Sequence, residues 1–251
     1  MENIANKPYG IINPNTLGSF IFTAEHASPA IPSTIQKTDV PYLQTHWAYD
    51  IGILPLMELL CKKHHSQGIY TRYSRLWIDT NRAPNQEGLI KTHIETTPLS
   101  FNQSLTEQDK QKRILDIHES YHRVISSSIE AHEQPPLLIS LHSFTPIWNN
   151  HIRTMDVGVL FDRDENLAHI CTKLLRKEGF FVEENQPYSG KNGLIYSAHR
   201  HGTENNIPYV ELEFNQSIIC SPQRIERVAV KLSHVLTTIQ QEYAAILVAQ
   251  S

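Results

Sequence analysis

Two histidines lie where short apolar stretches of the sequence turn polar. His26 follows SFIFTA (19–24), and His142 lies within LLISLHSF (137–144). Imidazole is the commonest side-chain ligand of metals, and a catalytic zinc typically takes three protein ligands and one water molecule. The pair therefore suggests metal-assisted hydrolysis, although a surface or core position is the alternative for each ring. The third ligand remains open among Asp50, Glu25 and His46.

Two glutamates in YVELEF (209–214) provide a candidate general base. In a strand, Glu211 and Glu213 point to one face, while the apolar residues between and beside them point to the other. At the end of a strand inside a polar cleft, burial would raise the pKa of Glu213 and suit it to accept a proton from attacking water. The alternative is an edge strand with a solvated acidic face.

The segment RYSRLWIDTNRAPN (72–85) concentrates arginines around an aspartate and an asparagine. The rigid guanidinium fork pairs with carboxylates, so Arg75 and Arg82 are candidates for binding a substrate carboxylate or an oxyanion. The alternative is an internal network of arginines with Asp79 that locks a loop. Further candidates for substrate binding are Asn81, Ser143, Arg153 and Tyr188.

Short apolar runs alternate with longer helical patterns along the chain. The pattern predicts strands at 19–24, 69–78, 137–144, 157–161, 180–184 and 209–214, and helices at 50–65, 107–132, 166–178 and 222–248. Asp164 is predicted to cap the third helix, Gly179 to end it, and Ser221–Pro222 to start the fourth. The remaining histidines are interpreted as solvated helix residues.

This alternation predicts an α/β sandwich whose largely parallel sheet is covered by helices on both faces. In such sheets the active site lies beyond the carboxyl ends of the strands, which is where His26 and His142 fall. No repeat or flexible linker divides the 251 residues, so we expect one domain over 1–251.

The charge balance, the apolar runs and the cysteines of the sequence argue against several classes of protein. The 22 basic residues are outnumbered by 26 acidic ones and form no long run, which argues against nucleic-acid binding. No apolar run reaches the ~18 residues of a membrane span. The three cysteines are odd in number and far apart, which is typical of reduced thiols. The sequence predicts a cytoplasmic protein that acts on a small molecule, and leaves its oligomeric state open.

Seven segments, in this order, resemble the N-formylglutamate amidohydrolase family over residues of about 20 to 220. They are EHASPAIP (25–32), HWAYDIG (46–52), YSRLWIDTNR (73–82), LHSFTP (141–146), VGVLFDRD (157–164), NQPYSG (185–190) and ELEFNQ (211–216). The resemblance implies a three-layer α/β/α fold of the phosphorylase/hydrolase type, related to zinc carboxypeptidases. It also implies metal-dependent hydrolysis of an N-acyl amino acid.

The same resemblance assigns roles to single positions. His26 and His142 match the metal-binding histidines of the family, and Asp50 is interpreted as the acidic ligand. Glu213 matches the glutamate near the C-terminus that would act as base, but Asn215 stands where members often have arginine. We expect zinc, although nitrogen and oxygen ligands also accept cobalt or manganese. The alternatives are a zinc peptidase acting on small peptides and a non-catalytic binding protein of the same fold.

Overall fold

The computed structural model of the chain describes residues 7–33, 35 and 42–250, with side chains up to residue 242. The helices are α1 (Ile53–His64), α2 (Glu107–Arg113), α3 (Glu119–Glu130), α4 (Glu165–Lys177), α5 (Tyr196–Glu204) and α6 (Pro222–Gln250). The strands are β1 (Tyr9–Ile12), β2 (Phe20–Ala24), β3 (Gln67–Thr71), β4 (His93–Ile94), β5 (Thr97–Pro98), β6 (Leu137–Phe144), β7 (Ile147–Trp148), β8 (His151–Ile152), β9 (Val157–Leu160), β10 (Val182–Glu184) and β11 (Tyr209–Asn215).

Seven of these strands form one mixed sheet in the order β1-β3-β2-β6-β11-β9-β10. The four central neighbours β3, β2, β6 and β11 run parallel to one another. β1 is antiparallel to β3, and β9 is antiparallel to β11. The four remaining strands form two separate hairpins, β4–β5 and β7–β8, and each of these strands has two residues. The sheet is therefore largely parallel in its centre, as the sequence predicts.

Helices cover both faces of the sheet, and strand alternation decides which residues face which layer. On one face, α1, α4 and α6 bury their apolar sides against residues such as Phe22, Leu141 and Leu212. On the other, Tyr121 and Ile125 of α3, together with α5, pack against a smaller apolar cluster. The three-layer α/β/α architecture is confirmed. The smaller cluster leaves room at the carboxyl ends of the central strands for polar side chains.

The strand predicted over 69–78 is wrong beyond Thr71, where β3 ends. Ser74 turns the chain instead, because its hydroxyl donates to the Ala48 carbonyl at 2.8 Å and accepts from the Leu76 amide at 3.1 Å. Side-chain bonds of this kind compete with sheet pairing. Leu76 and Ile78 are buried in two small clusters outside the sheet, so their alternation reflects local burial rather than a strand.

The predicted helices are present with differences in their ends and regularity. The helix predicted over 107–132 is divided into α2 and α3 by a π-helical turn, Ile114–His118. α4 ends before Gly179, which has a φ of 83°. Asp164 does not cap α4, because its carboxylate accepts from the Tyr209 amide at 3.3 Å and forms no capping bond. The Ser221 hydroxyl does accept from the Arg224 amide at 3.4 Å at the start of α6.

Two further expectations from the sequence concern the cysteines and membrane-spanning segments. Cys61, Cys171 and Cys220 are all unpaired, as their spacing predicts. Among the residues that the structure describes, no helix is both long enough and apolar enough to cross a membrane.

Candidate active site

Three adjacent parallel strands bring the candidate residues together. His26 follows the end of β2, His142 lies near the end of β6, and Glu213 lies near the end of β11. In the register of β6 and β11, His142 is paired with Glu213 and Ser140 with Glu211. All four of these side chains point to the α3 and α5 side, away from the larger apolar layer. Strand direction and alternation therefore place residues that are distant in the sequence at one point of the sheet.

His26, Asp50 and His142 form a compact group of buried ligand-type atoms. One ligand atom from each lies within 4.8 Å of the others. Nδ1 of His26 lies 3.6 Å from a carboxylate oxygen of Asp50, and Nδ1 of His142 lies 3.0 Å from the same oxygen. Backbone bonding fixes the arrangement, since the Asp50 amide donates to the His26 carbonyl at 2.8 Å. Asp50 is thus the acidic residue that completes this group.

The outer nitrogen of each histidine faces a second carboxylate. Nε2 of His26 lies 2.7 Å from Oδ1 of Asp79, and Nε2 of His142 lies 3.0 Å from Oε2 of Glu25. Such pairing fixes the ring orientation and leaves Nδ1 to face inward, as in carboxylate–histidine–metal arrangements. Nδ1 of His26 is buried and has no hydrogen-bond partner. A buried polar atom normally has one, so this nitrogen is suited to a ligand.

The alternative third ligands are placed elsewhere. Glu25 accepts hydrogen bonds from the hydroxyls of Tyr121 at 2.9 Å and Ser140 at 2.8 Å, on the far side of His142. Burial opposes ionisation of Glu25, but its hydrogen bond and charge interaction with His142 prevail and lower its pKa. His46 instead packs its ring against Trp47, with centroids 4.9 Å apart.

Glu211 and Glu213 are both buried, 2% and 5% exposed. β11 is a central strand between β6 and β9, so the edge-strand alternative is wrong. Burial raises the pKa of Glu211 to about 7 and that of Glu213 to about 8, although the positive charge of His142 opposes both shifts. For Glu213, the negative charges of Asp50 and Glu211 add to the effect of burial. Oε2 of Glu213 has no hydrogen-bond partner.

The loop after β3 provides the arginines and the carboxylate that holds them. Arg75 lies 3.0 Å from Asp79 and 3.9 Å from Asp50, and Nε of Arg82 lies 3.5 Å from Asp79. The internal network that the sequence left as an alternative is therefore present. Both arginines also line the cavity beside the histidines, so pairing with Asp79 does not remove them from the site.

The histidines and glutamates line a cavity of about 280 Å³. Lys91 lines the same cavity as Arg75 and Arg82. Burial lowers the pKa of Lys91, and the positive charges of the two arginines lower it further. Within the described part of the chain, the Lys91 ammonium forms no ion pair. Three cations in one cavity favour a substrate that carries an anionic group.

The family model that describes N-formylglutamate amidohydrolase matches residues 18–220. The chain belongs to the N-formylglutamate amidohydrolase family. The matched range includes every histidine and carboxylate of the group described above. Membership supports an enzyme with amidohydrolase activity, which agrees with the resemblance found in the sequence.

Two solved structures share the fold of this chain over nearly its whole length. A gene product of Agrobacterium tumefaciens is 25% identical, with a TM-score of 0.90, over 95% of this chain and 97% of that one. An N-formylglutamate amidohydrolase from Ralstonia eutropha is 15% identical, with a TM-score of 0.72, over 94% of this chain and 99% of that one. No curated protein sequence matches this chain. At 15% identity, the similarity to the Ralstonia eutropha structure shows only a shared fold.

The other predicted substrate-binding residues of this family member lie in or beside the cavity, in different roles. The Asn81 amide nitrogen lies 3.4 Å from Glu211, and its oxygen accepts from the Ser197 amide at 2.9 Å. The Ser143 hydroxyl donates to the Ile51 carbonyl at 3.1 Å, so it is already engaged within the protein. Tyr188 lines the cavity, and the guanidinium of Arg153 lies 5.6 Å from the Tyr188 ring centroid.

Asn215, at the position where the resemblance implies an arginine, has a structural role here. Its amide nitrogen donates to the carbonyls of Arg153 at 3.0 Å and Met155 at 2.9 Å. The side chain is 3% exposed. It therefore fixes the segment that leads into β9 and does not face the cavity as a cation. Lys91 is the cavity cation that the sequence analysis missed, because no short motif surrounds it.

Three further histidines are buried, which contradicts their interpretation as solvated helix residues. His118, His122 and His201 are 0% exposed. Nε2 of His118 donates to the Arg82 carbonyl at 2.8 Å, and Nε2 of His122 donates to the Thr80 carbonyl at 3.0 Å. Burial is tolerated because these donors have partners. The histidines of α3 and the preceding turn thereby hold the loop that presents the arginines.

The buried pair His122 and His201 is expected to reduce stability in mild acid. Nδ1 of His122 accepts from Nε2 of His201 at 2.8 Å. Burial lowers the pKa of both rings, that of His201 to about 4, and neighbouring positive charges lower them further. Between pH ~6.5 and 4 the unfolded chain therefore binds protons at these two rings that the folded chain excludes, so the contribution of the two rings to the free energy of unfolding decreases as the pH is lowered. The raised pKa values of Glu211 and Glu213 contribute with the opposite sign in the same interval.

The measurement is urea unfolding at several pH values in that interval, for the wild type and His201→Gln. The variant starts less stable, and the difference in the free energy of unfolding between the two proteins is expected to shrink as the pH is lowered, since one of the two rings no longer titrates. Equal slopes for the two proteins would contradict the prediction.

Proposed function

We propose that this chain is a zinc-dependent amidohydrolase that converts an N-acyl amino acid to a carboxylic acid and a free amino acid. The observation that carries the proposal is the buried, unpartnered Nδ1 of His26, which faces Asp50 and His142. Family membership supplies the amidohydrolase chemistry. The metal and the substrate class are our additions.

The donor set fits zinc. Two imidazole nitrogens and one carboxylate oxygen are a common set of three protein ligands for a catalytic zinc. Asp79 and Glu25 hold the outer nitrogens of the two rings, as a metal site requires. Cobalt and manganese accept the same ligand types, so the choice of zinc needs elemental analysis. When bound, zinc polarises a carbonyl group and lowers the pKa of water to about 7.

The residues of this chain account for the proton transfers. Glu213 accepts a proton from the attacking water at the unpartnered Oε2 and later donates it to the leaving amine. Arg75, held at 3.0 Å by Asp79, presents a fixed positive charge to the oxyanion. The acyl C–N bond breaks, and the water oxygen joins the acyl carbon.

Arg82 and Lys91 are proposed to bind the substrate carboxylate. Lys91 is available for this role because it is half-buried in the cavity beside two arginines. We expect Lys91→Met to raise KM by about tenfold or more with a smaller effect on kcat, because hydrogen bonds to charged groups contribute about 1.5–3 kcal/mol. Lys112→Met is the control, since the side chain of Lys112 is 74% exposed on α2. An unchanged KM in Lys91→Met would remove Lys91 from the binding site.

The experiment for the function combines metal analysis with product identification. We expect one equivalent of zinc per chain, and release of a small carboxylic acid from a panel of N-acyl amino acids. Release of amino acids from unmodified peptides, without deacylation, would identify a zinc peptidase instead. Bound zinc without turnover on either class of substrate would identify a binding protein.

Cellular location and partners are part of the same proposal. We propose a cytoplasmic enzyme, since Cys61, Cys171 and Cys220 are unpaired and free thiols persist in a reducing compartment. The proposed partner is the small-molecule substrate alone.

A further inference from the structure

Arg153 lies among aromatic rings that come from three separate segments of the chain. The ring centroids of Phe144, Trp148 and Tyr188 lie 5.6, 5.4 and 5.6 Å from its guanidinium. At distances below about 6 Å a cation is attracted to the face of an aromatic ring. All three rings line the cavity that contains Glu213. Arg153 therefore contacts one side of the cavity at three points.

The backbone of Arg153 is fixed, whereas its charge has the rings as its main surroundings. Its amide donates to the Pro146 carbonyl at 2.8 Å, and its carbonyl accepts from the side chain of Asn215 at 3.0 Å. Asn215 ends β11, two residues after Glu213. Within the described residues the guanidinium pairs with no carboxylate, and its hydrogen bond to the Thr145 carbonyl is long, at 3.5 Å. The guanidinium thus extends from a fixed point beside the proposed base.

The hairpin of β7 and β8 is the first segment that meets this guanidinium. Ile147 and Ile152 are opposite each other on one face of the hairpin and are 58% and 75% exposed. A two-stranded hairpin is marginally stable by itself in water, so its packing must come from the other face, which carries Trp148. Trp148 packs on Arg153 and on Trp47, whose ring centroid is 5.6 Å away. The position of the hairpin therefore depends on these contacts.

The second segment is the loop 185–190, which carries Tyr188. Its base is fixed, because the side-chain oxygen of Asn185 accepts from two backbone amides at 3.1 and 3.0 Å. Tyr188 extends from this base to the cavity. Burial and the negative charge of Glu213 raise the pKa of Tyr188, while the positive charge of Arg153 opposes the shift. Tyr188 is therefore close enough to Glu213 and Arg153 to interact with both charges.

We infer that Arg153 is a positioning residue, which joins the hairpin 147–152 to the loop 185–190. We call these two segments the cavity wall. Neither belongs to the seven-stranded sheet, and their aromatic side chains meet at one guanidinium. A guanidinium is planar and stacks on aromatic rings, which suits it to link several of them. The inference rests on the proposed function for its effect on the substrate, but the wall can be observed without substrate.

Circular dichroism reports on the cavity wall in the ligand-free protein. The rings of Trp47 and Trp148 are close enough for the two indoles to give a coupled signal. We expect Arg153→Met, which keeps a long side chain but removes the charge, to lose most of this signal. Trp148→Phe defines its complete loss. Arg123→Met is the control, since Arg123 is exposed on α3, and it is expected to keep the wild-type signal.

Kinetics show whether the cavity wall serves the substrate. On an N-acyl amino acid that the wild type hydrolyses, we expect Arg153→Met to raise KM by about tenfold and to change kcat by less than about threefold. The reason is that the proposed metal ligands and Glu213 are unchanged, while the wall that meets the bound substrate is displaced. Thermal unfolding establishes that each variant is folded. If Arg153→Met does not fold, Arg153→Lys, which keeps the charge, takes its place with a smaller expected effect.

The two measurements together decide the role of Arg153. A raised KM with the wild-type dichroism signal would mean that Arg153 contacts the substrate directly, and would overturn the inference. Loss of the signal with an unchanged KM would overturn it as well, because the wall would then have no effect on binding. Absence of hydrolysis by the wild-type enzyme would contradict the proposed function instead. The ligand-free signal would still decide whether Arg153 holds the two segments together.

Discussion

Glu213→Gln is expected to lower kcat by about 10²–10⁴, because it removes the group that we propose accepts the proton of the attacking water. Glutamine has nearly the same shape as glutamate but is not basic at its side-chain oxygen. The substitution also removes a carboxyl group whose ionisation is opposed by burial and by Asp50 and Glu211. We therefore expect the folded protein to be at least as stable as the wild type.

The measurement is kcat and KM on the best N-acyl amino acid, with zinc content determined in the same preparation. Zinc content is expected to stay at the wild-type level, since His26, Asp50 and His142 are unchanged. Glu211→Gln is the matched control on the same strand face. The Glu211 carboxyl is already contacted by Asn81 at 3.4 Å and His142 at 3.5 Å, so its loss is expected to cost less than tenfold in kcat. Wild-type turnover in fully metallated Glu213→Gln would exclude this residue as the base.

Much of the site follows from strand pattern alone. The alternation in YVELEF puts Glu211 and Glu213 on one face, and the parallel order of β2, β6 and β11 brings their carboxyl ends together. His26 and His142 could be predicted to meet for that reason. The apolar runs identify buried strands, and the end of such a strand is where a polar side chain reaches a cleft.

Other parts of the site depend on contacts between distant segments. The alternation over residues 72–78 is the same in a strand and in a loop with buried side chains, so the pattern could not show that β3 ends at Thr71. Lys91 and Trp148 enter the cavity through loop packing, which leaves no periodic pattern. The burial of His122 depends on the Thr80 carbonyl and on His201, which lie 42 and 79 residues away.

The structure also resolves an ambiguity in the arginine-rich segment. A network with Asp79 and a role in substrate binding were alternatives in the sequence, but they are compatible in space. Asp79 holds both Arg75 and the outer nitrogen of His26. One carboxylate thus couples the position of the arginine to the orientation of a histidine in the proposed metal-ligand group.

His142→Ala is expected to abolish stoichiometric zinc binding and, with it, activity. The ring supplies one of three proposed ligands, and its loss also leaves the buried carboxylates of Asp50 and Glu25 without their shared partner. Activity alone would not separate loss of metal from loss of the fold. Elemental analysis and thermal unfolding with and without added zinc are therefore measured together. A ligand that binds only the folded state raises the Tm, and the variant is expected to lose this shift.

His46→Ala is the control that makes this prediction specific. His46 lines the same cavity and was an alternative ligand in the sequence, but it packs against tryptophan rings and lies outside the group formed by His26, Asp50 and His142. We expect His46→Ala to retain one zinc per chain and the zinc-dependent rise in Tm. Loss of zinc from His46→Ala together with retention by His142→Ala would reverse the assignment and make His46 the ligand.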